Sequence, residues 1–408
     1  MYDLLKGTRI VEGASFIAGP ICCQHLVQFG AEVIRFDMIG GGPDYNRWPI
    51  SPEGDSLYWE GLNKGKKSVA INLSSTEGRA LAIEIATAPG DDGGMFVTNY
   101  PVNGFLSHEK LAEVRPDLIT VRVMGWADGR NSVDYTLNAV TGFPMMTGPA
   151  ELPVDRPVNH VLPAWDLITG SYAAFSLVAA ERQRRLTGQG GEIRIPLSDI
   201  AATTIANLGQ LAEVSVSGQD RPRSGNDLFG ALGRDFVTKD NKRLIAVAIT
   251  FRQWATLVKA LNLKDDEARL EQELGVSFEG ESERFTHRSR IFDIVQAKIE
   301  QMTHAEVATC FDDAGVLWNT YRTLTESISE ERGFVRDNPI FTQHKHPSGY
   351  SYPTPSAAAT IPKKERAMPG FAPRLGEHTD QVLQELLGFS TRKINELHDR
   401  GIVSRPSK

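Results

Sequence analysis

Over its first 130 residues the chain alternates short runs rich in β-branched residues with stretches of helical periodicity, and this rhythm constrains the fold more than any other feature. RIVEG is followed by PICCQHLVQFG, then AEVIRFD, and later by KSVAINL, EGRALAIEIAT, GMFVTNY and LITVRVMGW. Such alternation predicts βαβ units and a parallel sheet covered by helices, hence an α/β protein. A further α-then-β step follows from Asp166: the long apolar helix DLITGSYAAFSLVAAERQRR, the turn TGQGG and the strand pattern EIRIPLSD.

The chain has 408 residues. A single core stops growing at ~250 to 300 residues, so two domains, or one large domain with an insertion, are expected. The rhythm assigns 1–210 to the first part of a large domain. Residues 215–235 lose periodicity and fill with Gly, Asp, Arg and Ser, which marks a linker. Between 225 and 325, DFVTKD and RLIAVAI flank the turn DNK, and FRQWATLVKAL and RSRIFDIVQAKIEQM follow, predicting a smaller α+β domain. A second linker rich in Pro, Gly and Ser spans 338–370, and two helical patterns, LGEHTDQVLQELLGF and STRKINELHDRGIV, complete a segment 340–408 expected to return to the large domain.

A net charge of -7 argues against nucleic acid as the main ligand, so any phosphate site must be a local patch. The three cysteines, Cys22, Cys23 and Cys310, form no disulfide framework and fit a reducing, cytoplasmic compartment. Charges at Asp3, Lys6, Arg9 and Glu12 interrupt the N-terminal segment, and no stretch approaches the ~18 apolar residues of a membrane span. A soluble, unexported protein is expected.

Several chemistries lack their defining residues. Of nine histidines only His344 and His346 are close, on an expected solvated loop without Cys or carboxylate neighbours, so no metal is expected. GxGxxG after a strand, GxxxxGK[ST] and G-x-S-x-G do not occur, which removes nicotinamide, P-loop and serine-elbow readings. What remains unusual is Asp166, a carboxylate between Trp165 and the apolar Leu167 and Ile168, shortly after Pro163. At a helix start it would serve as an N-cap, held ionised by the helix dipole. The same carboxylate in a partly dry cleft could attack an activated acyl group. Lys64, Lys66 and Lys67 around Gly65 would suit phosphates, or be solvated surface charge. Ser15 to Pro20, after the first strand, and Asn99 with Tyr100, after MFVT, are expected to line one crevice at the carboxyl ends of the strands, or only to make turns.

Together these segments resemble the class III CoA-transferases, the family that includes the formyl-CoA and carnitine CoA-transferases. The similarity covers nearly the whole chain: LLKGTRIVE, AGPICCQHLVQFGAEVIRFD, NKGKKSVAINL, MFVTNY, the D-x-x-x-G of Asp166 to Gly170, RQRRLTGQGGEIRIPLSD and LGEHTDQVLQEL. The resemblance implies a Rossmann-like large domain, a small domain, two linkers and an interlocked homodimer. It implies Asp166 as the catalytic nucleophile, passing through an aspartyl-CoA thioester, and coenzyme A bound as part of the substrate around Ser15, Phe16, Ile17, Ala18, Lys66, Asn99 and Tyr100. No permanent cofactor is implied; the partners are an acyl-CoA thioester and a carboxylic acid.

Some positions depart from the family. Met38 stands where several members have an arginine, and SGNDLFGALG at 224–233, with Phe229 and Leu232, is the nearest equivalent of the glycine-rich segment that covers the aspartate. The racemase branch uses a histidine at the position of Val133, and valine cannot exchange protons, which favours acyl transfer over α-proton exchange. The whole chain is most similar to members that move CoA between the two carboxyls of one dicarboxylate. Intermolecular dicarboxylate transfer, 2-methylacyl-CoA racemisation and non-catalytic acyl-CoA binding are the alternatives.

Overall fold

The structure is a computed structural model that describes residues 1–406. The chain divides into two compact units: Met1–Thr141 with His160–Val216 and Asp337–Lys408, and Gly142–Asn159 with Ser217–Arg336. Residues 142–159, within the segment expected to belong wholly to the large domain, thus cluster with the second unit.

In the first unit, β1 (Arg9–Gly13), β2 (Glu32–Met38), β3 (Lys67–Ile71), β4 (Met95–Thr98), β5 (Ile119–Met124) and β6 (Gly191–Pro196) form a parallel sheet in the order β3-β2-β1-β4-β5-β6. The strand Val403–Ser404 joins it antiparallel to β3. This is the doubly wound order, which reverses between β1 and β4 and opens a crevice beyond their carboxyl ends. The helices are α1 (Ala18–Gln28), α2 (Leu57–Leu62), α3 (Thr76–Ala86), α4 (His108–Val114), α5 (Asp134–Asn138), α6 (Phe143–Met146, in the second unit), α7 (Ala164–Thr187), α8 (Leu197–Asn207) and α9 (Gln210–Ser217).

Both faces of the sheet are covered, which explains why its strands carry near-continuous apolar runs. On one face Cys22, Cys23 and Leu26 of α1, Ala173 and Leu177 of α7, and Ile200 of α8 pack with Ile10, Val97 and Val121. On the other, Leu81 and Ile85 of α3, Leu111 of α4, and Val382, Leu383, Ile394 and Leu397 of the helices Thr379–Glu385 and Thr391–Asp399 pack with Val11, Phe36 and Phe96. α1 and α7 cross closely at Gly170, where an added Cβ would lie 2.0 Å from Ile21 Cγ2 and 2.8 Å from the Ala18 carbonyl oxygen. The glycine of D-x-x-x-G is therefore a packing residue that fixes how α7 sits against the turn leading into α1.

The stretch 338–370, expected as an irregular linker, contains a hairpin of Phe341–Lys345 with Ser351–Pro355. His344 and His346 are not on a solvated loop: both are buried, stacked on Phe371 at 4.0 Å and on Tyr352 at 3.9 Å. Flat aromatic partners on each ring remove them from solvent, which sequence spacing could not reveal. Among the described residues no group of three or more His, Cys, Asp or Glu is placed to hold a metal, and no helix is long and apolar enough to cross a membrane.

The second unit has an antiparallel sheet of Leu232–Val237, Arg243–Ala248 and Leu317–Thr320, backed by the helices Phe251–Ala260 and Arg288–Ile299. Trp254, Phe278, Phe292 and Phe311 fill its core. Leu232, expected in a loop over Asp166, is instead buried in this core at the start of a strand. Phe229 is exposed, meeting Phe285 edge-on at 5.2 Å with the Arg221 guanidinium 3.6 Å above its ring.

Candidate active site

A cavity of about 880 Å³ opens in the first unit where the strand order reverses. Its walls include the β1–α1 turn, the residues after β4, the end of β5 with the loop that follows it, the start of α5, and Asp166. Six of the seven positions expected to bind CoA line it: Ser15, Phe16, Ile17, Ala18, Asn99 and Tyr100. The exception is Lys66.

Local hydrogen bonds fix the turn. Asn99 Oδ1 accepts from the Ser15 N–H at 3.3 Å and its Nδ2 donates to the Ser15 carbonyl at 3.1 Å, tying the ends of β1 and β4 together. Phe16 has φ of 69°, a left-handed conformation costly for a bulky side chain and therefore held by its surroundings. One such restraint is Asp44, whose Oδ2 accepts from the Phe16 N–H at 3.2 Å. The Phe16 ring is left exposed at the cavity wall.

Asp166 lies in the first turn of α7 but is not its cap. The cap is supplied from α5: Asp134 Oδ2 accepts from the N–H groups of Trp165 at 2.7 Å and Asp166 at 3.1 Å. Asp134 Oδ1 bonds His160 Nε2 at 2.7 Å, and Trp165 Nε1 donates to Asn138 Oδ1 at 3.0 Å, so α5 and the start of α7 are knitted together. With the helix N–H groups taken by another acid, the dipole does not hold Asp166 ionised as expected. Burial pushes its carboxyl up to about 7, the neighbouring Asp134 charge adds to this, and Arg47 pulls the other way. Among the described residues no group donates a hydrogen bond to the Asp166 carboxyl, which faces the cavity.

The lysine cluster does not reach this site. Lys66 is buried, its Nζ paired with Glu12 at 2.7 Å and donating to the Pro20 carbonyl and Asn63 Oδ1, both at 3.0 Å. Glu12 also meets Arg35, which pairs with Asp37 at 2.8 Å and Asp44 at 2.9 Å, forming a buried ionic network beneath the β1–α1 turn. Lys64 is buried too, and desolvation, with Lys66 nearby, lowers it to about 8. Lys67 pairs with Glu32 at 2.7 Å. Lys64 and Lys66 serve the interior because the loop before β3 folds inward, while Lys67 pairs near the surface, placements their local sequence cannot distinguish from a phosphate loop.

Among the lining residues not anticipated from sequence are Arg47, Tyr58, Asp134 and Arg130. Arg130 is neutralised by Asp128 at 2.7 Å. Arg47 lies over the rings of Phe16 at 5.7 Å and Tyr58 at 5.5 Å, with no carboxylate in ion-pair contact among the described residues. Asp134 follows Val133, and Val133 also lines the cavity with an exposed apolar side chain. The available signal for Asp134 was an acid at the start of a short helical pattern in NSVDYTLNAV; Arg47, in an irregular segment, offered none. Met38 is exposed at the end of β2.

The sequence profile of CoA-transferase family III matches residues 5–379. The chain is 45% identical over 409 residues to 2-methylfumaryl-CoA isomerase of Chloroflexus aurantiacus, covering 100% of each. It is 26% identical to human (Homo sapiens) succinyl-CoA:glutarate CoA-transferase, covering 98% of this chain and 90% of that one. A CAIB/BAIF family protein from Brucella suis has the same fold, with a TM-score of 0.76 over 95% of this chain and 100% of that one at 22% identity. The chain belongs to CoA-transferase family III.

Proposed function

We propose that the protein moves coenzyme A between the C1 and C4 carboxyls of mesaconate, using Asp166 as the nucleophile. The observation that carries this reading is the Asp166 carboxyl itself, which among the described residues receives no hydrogen bond, in a cavity at the strand-order reversal. The substrate is suggested by the relative at 45% identity, whose name is that of an isomerase of 2-methylfumaryl-CoA, the thioester of mesaconate.

The chemistry balances without an outside proton or electron. The Asp166 carboxylate adds to the thioester carbonyl and CoA leaves as thiolate, giving an aspartyl–acyl anhydride. Thiolate returns to the Asp166 carbonyl, expelling the substrate carboxylate and leaving an aspartyl-CoA thioester. The other carboxylate of the same diacid then attacks, and thiolate returns to the acyl carbonyl to regenerate Asp166. Each departing thiolate is the next nucleophile, and once the first carboxylate has been expelled the opposite carboxylate of the same molecule displaces the thiolate from Asp166. Retaining the diacid keeps the second attack effectively unimolecular. Ser15, Phe16, Ile17, Ala18, Asn99 and Tyr100 are proposed to bind the CoA portion; Lys66 is not part of this set.

We further propose a homodimer. Ile168, Tyr172, Phe175 and Val178 form an exposed apolar stripe on α7 at helical spacing, a surface suited to a second copy rather than to water. The interlocked arrangement implied by the resemblance belongs to the same reading.

The test is to supply mesaconyl-C1-CoA with excess isotopically labelled free mesaconate and follow products by mass spectrometry. The expected product is mesaconyl-C4-CoA carrying little label. Extensive label would replace this reading with intermolecular dicarboxylate transfer, and binding without any turnover would leave only an acyl-CoA binding module.

A further inference from the structure

Three features of the cavity wall are unexplained by the attack of Asp166 on a thioester. Arg47 is a cation whose guanidinium touches two aromatic rings and no acid among the described residues. The Tyr58 hydroxyl is buried with no hydrogen-bond partner among the described residues, and burial, the largest influence on it, raises its pKa and keeps it a donor. Arg47 acts on both Asp166 and Tyr58: it pulls the Asp166 carboxyl back toward ionisation, and the Asp166 charge is in turn felt at Tyr58. A buried donor without an acceptor is costly, and such groups in a cavity point to a ligand oxygen.

We propose that Arg47 and Tyr58 bind the free carboxylate of the substrate, the one not in thioester linkage, beside Asp166. This rests on the CoA-transfer reading and adds what that reading lacks, a receptor for the second carboxylate. A guanidinium presents paired N–H groups that match a carboxylate, and the Tyr58 hydroxyl supplies a third donor. The rings of Phe16 and Tyr58 flank the cation and would pack against an unsaturated carbon skeleton. Arg47 and Tyr58 line the same cavity as Asp166, which sets the site at the acyl end; the CoA phosphates, at the far end of the pantetheine arm, would not sit here.

The arrangement also explains retention. When CoA passes to Asp166 the diacid carries two free carboxylates, and the Arg47 site can hold either. Exchanging one for the other at a single cation presents the opposite carboxyl to the aspartyl-CoA thioester without releasing the acid.

The test uses Asp166→Asn, which blocks turnover, and measures equilibrium binding of mesaconyl-C1-CoA against 2-methylcrotonyl-CoA, which has a methyl group in place of the free carboxylate. Asp166→Asn should prefer the carboxylate ester by about 10- to 100-fold, as expected for charge-assisted bonds. Adding Arg47→Gln should erase that preference while leaving 2-methylcrotonyl-CoA affinity unchanged, and Tyr58→Phe should reduce the preference in part. Equal weakening of both esters by Arg47→Gln would show that Arg47 serves the CoA portion and overturn the proposal; so would a preference that survives Arg47→Gln. If Asp166→Asn binds neither ester, the CoA reading fails and this proposal falls with it.

Discussion

Asp134 Oδ2 accepts the main-chain N–H of Asp166 at 3.1 Å, so one carboxylate caps the helix that presents another. The cap orients the first turn of α7, and its negative charge helps burial hold a proton on Asp166. Orientation and acidity of the proposed nucleophile are therefore set by the same side chain. Asp134→Asn keeps an acceptor for the helix N–H groups and removes the charge, so the rising limb of activity should move to lower pH with little change in stability. Asp134→Ala loses the cap and should cost about 0.5–2 kcal/mol in urea unfolding. An acid limb unmoved in Asp134→Asn would show that the Asp134 charge does not set the acidity of Asp166.

Activity of the unaltered enzyme should rise with pH through about 7, because only ionised Asp166 can attack a thioester. Stability should run the opposite way. Unfolded, the Asp166 carboxyl releases its proton near 3.8, whereas folded it keeps it until about 7, so stability falls as pH rises between these values and is level above them. Asp166→Asn should abolish turnover and flatten this dependence. Thermal melts of both proteins at pH 5 and pH 8 check it: the variant should gain relative to the unaltered protein at the higher pH.

Lys66→Met should destabilise the fold rather than weaken CoA binding selectively. Removing the ammonium leaves Glu12 buried beside an already anionic network, and breaking a buried pair in this way costs about 3–5 kcal/mol. Denaturant unfolding reports the loss. A normally stable Lys66→Met protein with poor CoA affinity would restore the phosphate-binding role expected from sequence.

Gly170→Ala should lose stability and activity together. The new methyl would lie 2.0 Å from Ile21 Cγ2 and 2.8 Å from the Ala18 carbonyl oxygen, so α7 must move away from α1. Overpacking of this kind costs about 1–3 kcal/mol, and the displaced helix carries Asp166 with it. Chemical unfolding and a turnover assay at a permissive temperature measure the two effects separately.

Much of the large unit was legible in the residues. β1, β2, β4 and β5 lie where RIVEG, AEVIRFD, MFVT and LITVRVM place them, because strands covered on both faces must be apolar along their length. Ser15 to Ala18, Asn99 and Tyr100 were expected at strand ends, and a doubly wound sheet brings those ends together at one place. The hairpin at 341–355 was missed because its Pro- and Gly-containing sequence carries turn signals as strong as its strand pattern.

From its own residues the sequence determined the sheet, the crevice and the position of Asp166 at the start of a helix, since periodicity and turn chemistry act over neighbouring residues. Only the tertiary structure decided which charges face the crevice and which are buried beneath it. Lys66 points into an ion pair with Glu12, Arg47 stands at the cavity wall without an acid partner among the described residues, and Asp134 crosses from another helix to cap the turn that carries Asp166. The reason is physical: a charge's role depends on its desolvation and on partners distant in sequence, and neither is encoded in the few residues beside it.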